Sequence, residues 1–201
     1  MVDKPAGLLS VPGKGPDKTD CAAARIAAHF PDASGPLVVH RLDMETSGLL
    51  AFGLTPETQR QLSRQFEERE VEKAYTALLG DFRGLGPDPL DREVGVVSLP
   101  VRPDIGNRPI QIVDPIHGRE AITRWRVQSR ETDRIRIRFE PITGRTHQLR
   151  IHAAAGLGRP ILGDVLYGGD PAPRLMLHAS ELSFLDPGTG RRVSVVSAPP
   201  F

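Results

Sequence analysis

The sequence contains one cysteine, Cys21, and few aromatic residues, which make up 5% of its 201 residues. One cysteine excludes an intrachain disulfide and favours a reducing compartment such as the cytoplasm. Cys21 lies in an alanine-rich stretch, which predicts a small buried side chain. No run is long and apolar enough to span a membrane, and the N-terminal residues lack the apolar core of a signal peptide. We therefore expect a cytoplasmic, monomeric protein with one domain over residues 1–201.

Net charge is also small, at +1, but it is unevenly distributed along the chain. Residues 102–159 contain 12 arginines, no lysine and 6 acidic residues, whereas the remainder contains 14 basic and 19 acidic residues. Such a division is expected of a protein that turns one face to a polyanion. A solvated arginine-rich surface would give the same pattern, so charge alone leaves both interpretations open.

Hydrophobic spacing predicts short helices interspersed with strands at hairpin spacing. Thr55, Pro56 and Glu57 are typical of a helix start, and residues 134–139 alternate arginine with apolar side chains, as a half-buried strand does. The predicted helices cover residues 19–30, 55–68 and 146–155, and the predicted strands cover 48–54, 71–79, 110–113, 121–127, 134–139 and 193–196. This order predicts an α+β fold with a mixed, largely antiparallel central sheet flanked by helices and loops.

The polar segment 40–48, HRLDMETSG, lies between two apolar stretches. Asp43 falls in this tight connection, where a carboxylate can project while packed elements hold its backbone. Thr46 and Ser47 can bond the backbone of the loop and fix the turn. An isolated aspartate in a polar turn more often has a structural role, so the segment needs support from elsewhere in the chain.

Three further segments carry candidate functional residues. Arg145 lies at a turn that enters a helix, and if it faces Asp43 it could pair with that carboxylate and keep it ionised. Tyr75 shares a strand face with Lys73 and offers a ring for a base to stack on and a hydroxyl that can move a proton. Leu177 belongs to an apolar segment that reads as core. Taken singly, each has a structural explanation: a surface arginine, a half-buried tyrosine and a core leucine.

Five motifs, taken in order, resemble those of the RluA family of RNA pseudouridine synthases. They are HRLDxxTSG at 40–48, KxY at 73–75, GRTHQLRxH at 144–152, GxPIxGDxxYG at 158–168 and LHA at 177–179. The resemblance covers nearly the whole chain. It is narrowed towards the dual-specificity branch, which acts on tRNA and rRNA, by LLSVPG at 8–13, HRLDMETSG at 40–48, RQFxERE at 64–70 and NRPxQ at 107–111.

The resemblance implies a pseudouridine synthase fold with a catalytic cleft and assigns roles to residues. Asp43 is the implied nucleophile, Tyr75 stacks on the uracil and takes the C5 proton, and Arg145 pairs with Asp43. The target base must be flipped out of its stack, and Arg41 is the candidate to fill the gap, since guanidinium planes stack on bases. The residues expected to help bind the substrate are His40, Lys73, Arg150 and Leu177, the last as a pocket wall.

In the implied reaction uracil is detached from C1′ of its ribose, rotated and rejoined through C5, without loss of electrons. We therefore expect no metal and no redox cofactor, because one carboxylate and a pocket suffice. Sequence leaves open whether Asp43 attacks C1′, attacks C6 or removes the 2′ proton, and which uridine in a tRNA or large-subunit rRNA hairpin loop is the target. Family members usually carry a strand before the KPAGL segment. This sequence begins with Met1-Val2-Asp3, which leaves two explanations open: an upstream strand has been trimmed, or the start of the protein has been assigned late. We expect no S4-type module ahead of the catalytic domain, so that this domain recognises RNA unaided.

Two other functions compete with this one. The first is an RNA-binding module on the same scaffold that lacks catalysis, which the combination of Asp43, Tyr75 and Arg145 disfavours. The second is a metalloenzyme, suggested by His40, His147, His152 and His178. Zinc sites require closely spaced ligands of preset geometry, and a spacing of five residues puts two of these histidines on different faces of a helix.

Overall fold

In a computed structural model that describes residues 1–15 and 18–201, the chain divides into two units. The first unit comprises Met1–Lys73 and His178–Pro200, and the second comprises Ala74–Leu177 with Phe201. Within the described residues, no helix is both long and apolar enough to cross a membrane.

The described helices and strands confirm most of the predicted elements and add three strands. The helices are α1 Ala22–His29, α2 Pro56–Glu67 and α3 Gln148–Ile151. The strands are β1 Val2–Lys4, β2 Ser47–Leu50, β3 Glu72–Leu79, β4 Val94–Pro103, β5 Gln111–Val113, β6 Arg119–Arg130, β7 Ile135–Pro141, β8 Leu177–Leu185 and β9 Arg192–Val196. Strands β1, β4 and β8 were not predicted. Strand β4 contains Gly95 and Pro100, residues that usually interrupt a strand pattern.

The first unit pairs four strands and carries two helices. Strand β1 pairs antiparallel with β2, β2 pairs parallel with β8, and β8 pairs antiparallel with β9. Helix α2 begins as predicted, because Thr55 and Thr58 form a reciprocal cap ahead of a proline at the first position. Cys21 is buried, as predicted, and caps α1 by accepting a hydrogen bond from Ala24 N at 3.3 Å. The core of the unit lies between α2 and the sheet, around Leu49, Ala51, Leu62, Val71, Leu182 and Phe184.

The second unit contains strands in the order β3–β7–β6–β4–β5, all paired antiparallel. One face of this sheet is apolar, because alternate residues such as Trp125, Ile137 and Phe139 point into a single core. Tyr75 is opposite Phe139 and packs against the same core. The arginines that alternate with these residues lie on the other face, as predicted for β7. The predicted α+β fold with a mixed, mostly antiparallel sheet is confirmed.

The predicted helix over residues 146–155 is shorter and less regular than expected. His147 adopts a left-handed conformation with φ of 52°, so the regular helix begins only at Gln148. After Ile151 the backbone continues as one wider π-type turn, His152–Gly156. His152, the first residue of this wider turn, is completely buried.

Candidate functional site

The loop that carries Asp43 lies in the first unit, and buried donors fix its backbone on both sides. Ser10 Oγ donates to Leu42 O at 2.7 Å and accepts from Leu42 N at 3.0 Å. A backbone bond from Thr46 N to Asp43 O at 3.2 Å closes the turn. The prediction that the Thr46 hydroxyl fixes the turn is wrong, because among the described residues this buried hydroxyl has no hydrogen-bond partner. The side chain of Asp43 is half-buried. These bonds fix the backbone from which the Asp43 carboxylate projects.

Lys4 provides a second anchor for this loop. Its side chain is only 1% exposed, although lysine is almost never fully buried unless it is paired. Its ammonium group donates to Pro5 O at 2.9 Å, Leu8 O at 2.7 Å and Met44 O at 3.1 Å. Lys4 thus ties the residue next to Asp43 to the N-terminal segment, a role that sequence analysis missed.

A chain of hydrogen bonds, buried at Ser47 and His178, follows the loop where it enters β2. Ser47 Oγ lies 2.8 Å from His178 Nδ1, and His178 Nε2 lies 3.0 Å from Ser197 Oγ. Ser197 donates in turn to the carboxylate of Asp3. Ser47 and His178 are each 2% exposed, so this serine–histidine pair does not present a nucleophile to solvent. It joins β2 to β8 immediately behind the Asp43 turn.

Three other residues predicted to bind substrate lie in the first unit. His40 Nε2 accepts from Ala51 N at 2.9 Å, and its ring stacks on Phe66 with centroids 4.3 Å apart. Burial, and secondarily the charge of Lys73, lowers the pKa of His40 to about 3. Both observations describe a neutral ring held in place, which favours a structural role. Burial also lowers the pKa of Lys73, assisted by the charge of Arg69.

Arg41 differs from these neighbours because its side chain is exposed. It lies between the fixed His40 and the buried Leu42. The sequence therefore presents a guanidinium to solvent from a backbone that is held on both sides.

In the second unit, Tyr75 and Leu177 both contact the main core. Tyr75 is half-buried, whereas Leu177 is 2% exposed and belongs to the core itself. Leu177 therefore packs in the core of this unit, as expected for a leucine in an apolar segment. Tyr75 keeps part of its surface accessible.

Arg145 occupies a half-buried loop position two residues before the left-handed His147. Its Nε donates to Glu120 O at 3.0 Å, and its backbone N–H donates to Gln148 Oε1 at 2.9 Å. The first bond uses Nε only, so a carboxylate or phosphate acceptor would be met by the two terminal amino groups of the guanidinium.

Arg150, which the resemblance implies as a substrate-binding residue, lies in the core. Its side chain is 1% exposed and makes two hydrogen bonds to the Asp164 carboxylate, at 2.8 and 2.7 Å. Its guanidinium also lies 5.4 Å from the centroid of the Tyr167 ring. Burial against a carboxylate partner favours a structural role for Arg150.

Part of the arginine-rich region 102–159 lies on the sheet face opposite Tyr75. Arg124 and Arg126 on β6 and Arg136 and Arg138 on β7 alternate with core residues, so they lie on the sheet face opposite Tyr75. At least six of the twelve arginines are in ion pairs with carboxylates: Arg102–Asp114, Arg130–Glu93, Arg134–Glu131, Arg138–Glu140, Arg150–Asp164 and Arg159–Asp88. Three of these carboxylates, Asp88, Glu93 and Asp164, lie outside residues 102–159 and therefore offset part of the charge excess of that region.

The histidines that suggested a metal site are separated and bonded elsewhere. His147 Nδ1 lies 3.0 Å from Tyr167 Oη, and His152 Nδ1 lies 2.9 Å from Thr123 Oγ1. In the part of the chain that the structure describes, no group of three His, Cys, Asp or Glu side chains is arranged to hold a metal ion.

Comparisons with known proteins connect these features to a family. The family model described as RNA pseudouridylate synthase matches residues 1–155. The dual-specificity RNA pseudouridine synthases RluA of Haemophilus influenzae and of Escherichia coli are each 42% identical over 199 residues, covering 96% of this chain and 86% of those proteins. The solved structure of human RNA pseudouridylate synthase domain containing 1 is 29% identical, with a TM-score of 0.75, and covers 100% of this chain and 79% of that one.

Proposed function

Since this chain belongs to the RNA pseudouridylate synthase family, whose members isomerise uridine to pseudouridine in RNA, we propose that Asp43 is its nucleophile. The observation that carries the proposal is the fixed turn around Asp43. Ser10, Thr46 and Lys4 hold the backbone of its loop through four hydrogen bonds: two between Ser10 and Leu42, one from Thr46 N to Asp43 O, and one from Lys4 to Met44 O. A reactive group must be held within a fraction of an ångström to be effective.

The chemistry asks little more of the protein than an oriented carboxylate. The bond from C1′ to N1 of uracil breaks, the base rotates, and a bond from C1′ to C5 forms. C5 then loses its proton, and N1 gains one. No electron is gained or lost, so a carboxylate nucleophile suffices without a metal or redox cofactor. Attack on C1′, attack on C6 and removal of the 2′ proton all use the ionised form of Asp43.

We assign two supporting roles by the same resemblance. Tyr75 stacks on the uracil and accepts the C5 proton, and its half-buried ring on the core face of β3 supports this role. Arg145 acts as the cation that pairs with Asp43, as the sequence predicts. Its anchored loop and partly exposed guanidinium support that role.

The target uridine must leave its stack before any carboxylate can reach it. Arg41 is exposed next to the fixed segment His40–Asp43, and a guanidinium plane can stack on bases on either side of a gap. We assign Arg41 to this gap. In this role Arg41 acts in binding rather than in chemistry. We therefore expect Arg41→Ala to lower RNA affinity more than it lowers the reaction rate of the bound complex.

We propose that residues 1–201 act as one catalytic module on hairpin loops of tRNA and large-subunit rRNA. Relatives 42% identical to this chain are named dual-specificity enzymes. The test is tritium release from 5-tritiated uridine in a tRNA hairpin and in an rRNA hairpin, each incubated with the wild-type chain. Release from both hairpins supports dual specificity, whereas release from one hairpin restricts the proposed substrate to that RNA.

Two variants make this test decisive about catalysis. Asp43→Asn should release no tritium, whereas Glu45→Gln, which changes a neighbouring carboxylate in the same loop, should release it at close to the wild-type rate. Tight binding of both hairpins without release by the wild-type chain would support the binding-module alternative and overturn the proposed catalysis.

A further inference from the structure

The side chain of Gln148 is buried, 4% exposed, and all of its hydrogen-bonding atoms have partners. Its Oε1 accepts from Thr143 Oγ1 at 2.8 Å and from Arg145 N at 2.9 Å. Its Nε2 donates to Ile122 O and to Thr123 Oγ1, both at 3.0 Å. An amide of this kind can make four hydrogen bonds, and here it makes four.

These bonds connect the Arg145 loop to strand β6 from both sides. Thr143 Oγ1 also accepts from Ile122 N at 2.8 Å, and Ile142 N donates to Ile122 O at 3.0 Å. Two residues earlier on β6, Glu120 O accepts from Arg145 Nε. Gln148 therefore links the backbone of Arg145 to the strand that also holds its guanidinium.

The orientation of the Gln148 amide is determined by its surroundings. Rotation by 180° would set Oε1 against Ile122 O and Nε2 against the N–H of Arg145, exchanging two hydrogen bonds for two repulsive contacts. A buried polar network that is fully satisfied fixes one conformation of the groups it joins. No side chain without both a donor and an acceptor can replace this one.

We propose that Gln148 is a positioning residue that sets the location of Arg145 for the isomerisation. The inference rests on the proposed role of Arg145. Gln148 itself is not assigned a catalytic role, because its side-chain atoms are all bonded within the second unit. Displacement of a catalytic group by about 1 Å can slow a reaction about 100-fold. Loss of the Gln148 amide removes the direct bond to the Arg145 backbone and therefore permits such a displacement.

Two substitutions distinguish positioning from general loss of packing. Gln148→Met has nearly the same shape but none of the hydrogen bonds, and we expect its single-turnover rate to fall about 100-fold with RNA affinity within about twofold of wild type. Gln148→Glu keeps an oxygen for Arg145 N and Thr143 Oγ1 but loses both donations and sets its second oxygen against Ile122 O, so we expect its rate to fall well below that of wild type as well. A rate close to wild type in Gln148→Met would contradict the bond to Arg145 as the cause.

Gln65 supplies a matched control in the first unit. It is 6% exposed and makes two hydrogen bonds to the backbone of Leu185, both at 2.8 Å. Gln65→Met should lower the melting temperature but leave the single-turnover rate of the folded enzyme unchanged. An equal loss of rate in Gln65→Met and Gln148→Met would show that general destabilisation explains both and would overturn the proposal.

The deciding experiment is a double-mutant cycle in single-turnover rate, followed over long reaction times with saturating enzyme. If Gln148 acts through Arg145, Gln148→Met should slow the Arg145→Met enzyme by less than about twofold, because coupled residues are not additive. Independent, multiplicative losses overturn the inference. A wild-type rate in Arg145→Met alone would instead overturn the proposed role of Arg145, so the two failures are distinguishable. If Gln148→Met does not fold, Gln148→Glu is used in the same cycle.

Discussion

Arg145 and Arg150 lie five residues apart in the segment 144–152, yet the fold holds them in opposite ways. Arg150 is 1% exposed and makes two bonds to Asp164 in the core. Arg145 is half-buried in a loop, where Nε donates to one carbonyl oxygen. A guanidinium that is paired in the core serves stability, whereas one on an anchored loop can meet a ligand. Burial and partner, rather than membership of a motif, separate the two roles.

Arg150→Met tests the structural role of Arg150. We expect the free energy of unfolding to fall by about 3–5 kcal/mol, because Asp164 would stay buried without its cation. Urea denaturation measures the loss. Arg138→Met, which removes a partly exposed pair with Glu140, is the control and should cost less than about 1 kcal/mol. Unchanged stability in Arg150→Met, together with weaker RNA binding, would restore the substrate contact predicted from sequence.

The opposite pattern is expected for Arg145→Met. Removal of one preorganised donor near a reacting centre commonly slows a reaction about 100- to 1000-fold, and we expect a loss of this size in the single-turnover rate with little change in stability. Arg145→Lys keeps the charge but loses the planar fork, so it should recover part of the rate. If Arg145 contacts only phosphate, Arg145→Met will weaken RNA binding while the single-turnover rate at saturating enzyme stays at the wild-type value.

A smaller effect concerns His152, at the end of the same segment. Burial lowers its pKa to about 4 from the ordinary value of 6.5, so the folded protein holds it neutral. Its contribution to stability is present above pH 6.5 and is lost as pH falls towards 4, because the unfolded chain takes up the proton first. The expected loss is about 2 kcal/mol between about pH 7 and pH 5. His152→Leu should show a flatter stability profile over this range, and an identical profile would contradict the pKa shift.

Sequence alone located the elements whose signals are local. The cap at Thr55 and the alternation of Ile135, Ile137 and Phe139 predicted α2 and β7 closely, since capping and period-two patterns depend on adjacent residues. Strand β4 was missed because Gly95 and Pro100 interrupt its pattern while long antiparallel pairing to β6 maintains it. The helix predicted over 146–155 was too long because the left-handed His147 is not encoded by hydrophobic spacing.

The site was predicted to the level of its motifs but not of its supports. The loops that carry Asp43 and Arg145 were singled out because their motifs occur together and in the order typical of the family, since each residue taken singly has a structural explanation. Their anchors, Lys4, Ser10 and Gln148, were not found, because each bonds to residues distant in sequence or to backbone atoms. A buried lysine or glutamine becomes visible only when its partners are known, since its residue type predicts exposure.

If Asp43 is the nucleophile, Asp43→Asn should form no pseudouridine. Its single-turnover rate is measured at saturating enzyme, with RNA affinity determined on the same preparation. The replacement is nearly isosteric, so we expect affinity within about threefold of wild type and no detectable pseudouridine. Pseudouridine formed by Asp43→Asn at a substantial fraction of the wild-type rate would contradict the assignment of Asp43 as nucleophile.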